Sequence, residues 1–153
     1  FPVLADVFGD VTFVVTHRDP VAVTLSMATM VAYSCRMNLA RPDPAAMGRY
    51  WRARVEDLLN DCARDRDLLP AEQAIDVGFD EFMADDVAMV ERVYALADQP
   101  FDERARSAME TYQAAHPRGR HGGVRYDPAA VGLDPIELDA GFGAYRERFA
   151  SLL

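Results

Sequence analysis

Residues Phe13 to Met30 read FVVTHRDPVAVTLSMATM, a β-branched apolar run that passes through an arginine and an Asp-Pro pair into a second, longer apolar series. The fold follows from this passage. The segment VTFVV, Val11 to Val15, is short and apolar almost throughout, the pattern of a central parallel strand covered on both faces. Asp19 followed by Pro20 is a helix start. The carboxylate accepts from first-turn N–H groups, and proline's fixed φ suits the first helical position. From Val21 to Tyr33 apolar residues lie all round the helix, which predicts a buried one. A strand feeding a helix through so short a link is the repeating unit of an α/β fold.

The rest of the chain extends that pattern. Upstream, FPVLADVFGD has a strand-like pattern, no basic leader and no apolar run long enough to span a bilayer, so the chain reads as a piece of a longer soluble, cytoplasmic protein. Downstream, Asp43 and Pro44 repeat the helix start. The helix reaches about Asp67, with Met47, Tyr50, Trp51, Val55, Leu58, Leu59 and Cys62 on one face. A second strand is expected over Ala74 to Phe79, a helix from Asp85 through Leu96, and another from about Asp102 to Ala115. HPRGRHGGVRYDPAAVGLDP is too rich in glycine and proline for an element interior and reads as a long loop. Glu137 to Leu153 closes the chain as a helix carrying Leu138, Phe142, Tyr145 and Phe149 on one face. Two strands make a poor sheet alone, so further strands are expected in an N-terminal part that precedes this chain.

Composition narrows the function. The 153 residues are half apolar, which excludes a disordered tail. All 16 basic residues are arginine, and the net charge of −9 disfavours nucleic acid as a partner. A phosphorylated ligand must then be held by a few placed guanidinium groups, whose forks match phosphate oxygens. Cys35 and Cys62 have no metal-ligand spacing and read as reduced, buried thiols. His116 and His121 lie in the loop without a carboxylate partner, so no metal is expected there. There is no Walker loop and no nucleophile elbow.

Two polar residues in the opening stretch then stand out. Arg18 falls where the strand ends and the helix begins, the edge at which open α/β sheets bind ligands and a helix N-terminus favours an anion. Ser26 follows eight residues later, about two turns along the helix on the face of the small Ala22. A phosphate beside those turns accepts from both. The plain alternatives are an arginine paired with a carboxylate and a serine bonded back to the carbonyl four residues earlier. His17 alternates with Arg18 along the strand and points to the other face, away from any shared chemistry.

The same residues resemble the 3′-phosphate-binding segment of the sulfotransferases, in which a strand ends in an arginine and a serine comes eight residues later; Arg18 and Ser26 match it. The segment IDVGFDEFMADDVAMVERVYALADQPFDE is similar to that family's Y-E-D-L segment and following helix, with Phe79 in the place of the adenine-contacting tyrosine. HPRGRHGG keeps the glycine spacing of the family's R-K-G-x-x-G clamp at Gly119 and Gly122, although Pro117 stands where the first arginine would be. Arg118 or Arg120 then supplies the charge, with Gly119 opening the backbone. The wording THRDP and the ending YDPAAVGLDPIELDAGFGAYRERF look most like the bacterial, especially actinobacterial, branch.

The resemblance implies a P-loop-NTPase-like three-layer α/β sulfotransferase fold with a parallel sheet, of which residues 1–153 form the mostly helical C-terminal part. It implies a nucleotide donor, 3′-phosphoadenosine 5′-phosphosulfate (PAPS), and a small acceptor bearing a hydroxyl or amine. The phosphosulfate loop is lysine-bearing in that family and this chain has no lysine. That loop and the catalytic base are therefore expected in the N-terminal part, which leaves no catalytic residue and no metal here. A P-loop-type nucleotide kinase and a non-catalytic interaction module are the competing readings.

Overall fold

A computed structural model describes residues 1–120 and 122–153. In chain order the elements are α1 (Pro2–Val7), β1 (Phe13–His17), α2 (Pro20–Asn38), α3 (Pro44–Asp65), β2 (Ala74–Gly78), α4 (Phe79–Ala84), α5 (Asp86–Leu96), α6 (Glu103–Ala115), α7 (Pro135–Asp139) and α8 (Gly143–Arg148), with short 3₁₀ turns between several of them. No helix among the described residues is long and apolar enough to cross a membrane.

The chain divides into two compact units. The first comprises residues 1–17, 66–124 and 152. Here β1 and β2 pair in parallel, Phe13 opposite Ala74 and His17 opposite Gly78. Phe13, Leu69 and Ala74 form a small core closed by Phe1 and Val11. The N-terminal segment is helix α1, not the expected strand: Pro2 sits in its first turn, and the Leu4 and Ala5 N–H groups donate to the Phe1 carbonyl. That turn sets the Phe1 ring edge-on to Phe13, 6.4 Å between centroids. β1 runs two residues further than expected, to His17, and it is not covered on both faces, since Val14 and Thr16 are exposed. β2 stops at Gly78, where a Cβ would press on the Leu152 backbone, and Phe79 opens the unforeseen helix α4.

The second unit comprises residues 18–65, 125–151 and 153, with α2 and α3 packed together. Its core is Leu25, Ala28, Ala32, Val55, Val131, Leu133, Leu138 and Phe142. Both helix starts are as read: Ala22 N–H donates to Asp19 Oδ1 at 2.7 Å, and Ala46 N–H to Asp43 Oδ1 at 2.9 Å. α2 is not buried all round, because Met30, Tyr33 and Met37 are exposed on one face. The closing helix is broken into α7, a 3₁₀ turn at Ala140–Phe142, and α8, with glycines at 141 and 143 flanking the break. Leu138, Phe142, Tyr145 and Phe149 are nonetheless all buried, so the apolar face was read correctly and its continuity was not. Cys35 and Cys62 are half-buried instead of buried.

Candidate functional site

The start of α2 is tied down by charge. Asp19 caps the helix through Ala22, and its other oxygen accepts from Arg146 Nη2 at 2.7 Å, while Arg146 Nε donates to Asp139 at 2.7 Å. Burial pushes the Asp19 carboxyl up, but the Ala22 N–H and the Arg146 guanidinium outweigh it and hold the group below its ordinary value. The chain's own carboxylate thus engages a first-turn N–H group of α2, as the Asp-Pro start implies. Arg18 immediately precedes the cap and is exposed.

Two hydroxyls of α2 behave as buried-helix hydroxyls usually do: Thr24 Oγ1 donates to the Pro20 carbonyl at 2.8 Å and Ser34 Oγ to the Met30 carbonyl at 2.9 Å. Ser26 does not. Its oxygen accepts the Tyr126 O–H at 3.1 Å, a bond between residues 100 positions apart. A hydroxyl carries one proton and two lone pairs, so accepting from Tyr126 leaves the Ser26 proton to be donated elsewhere. As donors toward a phosphate monoester, an exposed guanidinium and an O–H of this kind fit the charge and hydrogen-bonding needs of such a group. Arg18, Ser26 and Tyr126 belong to one compact unit. Tyr126 was not foreseen, because nothing local in RYDP points to a serine so far back in the chain.

His17 is fully buried at the end of β1, and its Nε2 lies 2.9 Å from Asp76 Oδ1 on β2. Arg66 Nε donates to both Asp76 oxygens, at 2.9 and 3.0 Å. Burial pushes Asp76 up, and the hydrogen bonds and charge of Arg66 and His17 more than reverse it. An ionised carboxylate only accepts, so Nε2 carries the proton and faces Asp76. His17 is thus buried and bonded across the sheet, while Arg18 next to it is exposed.

Phe79, Arg118, Gly119 and Arg120 belong to the other unit. Phe79 is half-buried at the first position of α4. Arg118 is engaged by the protein: Nη1 donates to the Met83 carbonyl at 2.7 Å and Nη2 to Asp86 at 2.6 Å. Gly119 and Gly122 have φ of +77° and +83°, the left-handed region that glycine occupies without strain, and the Gly122 N–H closes a turn on the Gly119 carbonyl at 2.9 Å. Arg120 is exposed. His121 lies outside the described residues, and His116 Nδ1 lies 2.8 Å from the Tyr112 carbonyl. No cluster of three or more potential metal ligands occurs among the described residues.

The profile described as "Sulfotransferase family" matches residues 1–103. The chain belongs to the sulfotransferase family. Its α/β fold, helices with a small parallel sheet, agrees with a solved structure, that of sulfotransferase STF9 from Mycobacterium avium, at a TM-score of 0.81 and 25% identity over 95% of the chain. The chain spans 38% of the length of that protein. No curated protein matches it. The matched stretch of this sulfotransferase chain includes Arg18, Ser26 and Phe79 and ends before Arg118 and Tyr126. Its strand-to-helix junction, read first from sequence, therefore lies within the part that carries the family likeness.

Proposed function

We propose that this chain is the C-terminal, nucleotide-anchoring part of an enzyme that transfers a sulfuryl group from PAPS to the hydroxyl or amine of a small acceptor. The observation that carries the reading is the hydroxyl of Ser26, turned from the helix carbonyl by Tyr126 and placed in one unit with the exposed Arg18. The family match supports it. Bound PAPS supplies the activated sulfuryl group and a bisphosphorylated handle. Arg18 binds the 3′-phosphate through charge-assisted N–H bonds, and Ser26 donates its O–H to the same group. Holding the nucleotide in one pose is this chain's share of the rate enhancement, since a fixed donor turns transfer into an effectively unimolecular step.

On the other unit, Phe79 offers a ring face to adenine, losing only the hydroxyl of the family's tyrosine. Gly119 lets backbone N–H groups approach a phosphate, Arg120 adds charge there, and Arg118 fixes the loop through Asp86. The phosphosulfate loop and the base that activates the acceptor belong, on this reading, to the N-terminal part of the same domain. Calorimetry of the complete protein with adenosine 3′,5′-bisphosphate tests the anchor. Arg18→Ala removes a charged phosphate contact and lowers affinity about ten- to a hundredfold, roughly 1.5–3 kcal/mol. An unchanged affinity overturns the assignment.

A further inference from the structure

We infer that Tyr126 is a positioning residue for the 3′-phosphate anchor, holding Ser26 Oγ as an acceptor so that the serine proton points to the ligand. The inference rests on the functional reading above and adds a residue to it. Within α2, Thr24 and Ser34 each donate to the carbonyl four residues back, while the buried Thr29 hydroxyl has no partner among the described residues. A serine that does so spends its proton on the backbone. Ser26 has the same option at the Ala22 carbonyl and does not take it among the described hydrogen bonds; its oxygen meets the Tyr126 O–H at 3.1 Å. The phenol is the more acidic of the two groups, so the proton order Tyr126 to Ser26 to anion runs from the stronger donor inward, and each bond polarises the next.

The tyrosine is itself held. Asp127 Oδ1 accepts the Ala129 N–H at 3.1 Å, and the Leu133 N–H donates to the Pro128 carbonyl at 3.0 Å. Val131 and Leu133 are buried in the core that α2 helps to build. The backbone just after Tyr126 is thereby fastened to the unit that carries Ser26, while the residue remains 36% exposed. A fixed backbone with a partly exposed side chain suits a part that orients a neighbour without closing the site.

The test compares two ligands on the complete protein by calorimetry: adenosine 3′,5′-bisphosphate, and 5′-AMP, which lacks the 3′-phosphate. Tyr126→Phe removes one oxygen. It should weaken the bisphosphate about five- to tenfold, the size of one hydrogen bond, and leave 5′-AMP unchanged. Ser26→Ala should lose as much, and the double variant no more than Ser26→Ala alone, because the tyrosine acts only through the serine. A merely structural tyrosine would weaken both ligands alike, and that result, or an unchanged bisphosphate affinity, overturns the inference. If the wild type does not prefer the bisphosphate, or Arg18→Ala has no effect, the functional reading and this inference fall together. If both hold and Tyr126→Phe binds normally, only this inference falls.

Discussion

Asp76→Ala removes the carboxylate that joins β1, β2 and the turn after α3. Two donors use it: His17 Nε2 at 2.9 Å, and Arg66 Nε shared between both oxygens at 2.9 and 3.0 Å. The side chains are 0% exposed for His17, 12% for Arg66 and 27% for Asp76, so solvent screens the cluster only in part. A hydrogen bond to a charged group contributes about 1.5–3 kcal/mol. Two such bonds, discounted for the exposed edge of Asp76, give a loss of about 2–4 kcal/mol, or about 5–15 °C in melting temperature for a chain of this size. The pH dependence has a definite sign. Asp76 titrates below its ordinary value in the folded protein, so its contribution is complete above the unfolded carboxyl pKa and is lost as pH falls through the folded one. The gap between wild type and variant should therefore be full at pH 7 and narrow below about pH 4. Asp76→Asn keeps one acceptor without the charge and should fall between the two. Thermal denaturation of the complete protein at pH 7 and pH 3 measures all three. A melting temperature within about 2 °C of wild type at pH 7, or a gap equally wide at pH 3, refutes the account of this cluster.

Thr29→Val removes a hydroxyl that is buried with no hydrogen-bond partner among the described residues, and should leave stability unchanged or raise it by about 0.5–1 kcal/mol in a urea titration. Gly48→Ala places a Cβ against the Val131 carbonyl, a backbone atom that cannot step aside, and should cost about 3 kcal/mol or more, seen as a lost or strongly lowered thermal transition. Asp19→Ala removes the cap on Ala22 and the partner of Arg146, and should cost about 1–2 kcal/mol at pH 7 by the same measurement, less in acid because Asp19 also titrates low. Gly119→Ala meets no neighbouring atom but must hold φ near +77°, so its cost is about 1–2 kcal/mol of local strain, and faster proteolysis of the 116–127 loop should report it.

The elements legible in the sequence were those with a local physical cause. Asp-Pro at 19–20 and 43–44 announces a helix through its cap, and both helices begin there. Asp85 and Asp102 do the same for α5 and α6, accepting from Ala88 and Ala105 N–H groups at 2.9 and 2.8 Å. What failed depended on neighbours. An apolar series all round α2 predicts burial, yet only part of its circumference meets α3 and the 125–151 segment, so Tyr33 and Met37 stay in solvent. The closing segment keeps its 3–4 apolar spacing across a break, because the core selects which side chains face inward.

At the candidate site the cations were legible and most of their surroundings were not. Arg18 and Ser26 share a motif because both belong to one strand-to-helix junction, and the six residues from Pro20 to Ser26 lie within α2, where spacing translates directly into distance. Tyr126 reaches the same helix across 100 positions, from a loop whose composition announces only irregularity. In HPRGRHGG the Arg118 guanidinium donates to Asp86 and to the Met83 carbonyl, contacts that nothing local in the loop's sequence announces. In a chain with net charge −9 many guanidinium groups meet a carboxylate, as Arg64, Arg92, Arg106 and Arg146 do. Identifying an arginine as a ligand-binding residue therefore needs evidence from its neighbours. For Arg18 the proposed function looks to Ser26, whose hydroxyl, unlike those of Thr24 and Ser34, meets a second side chain and not a carbonyl of its own helix.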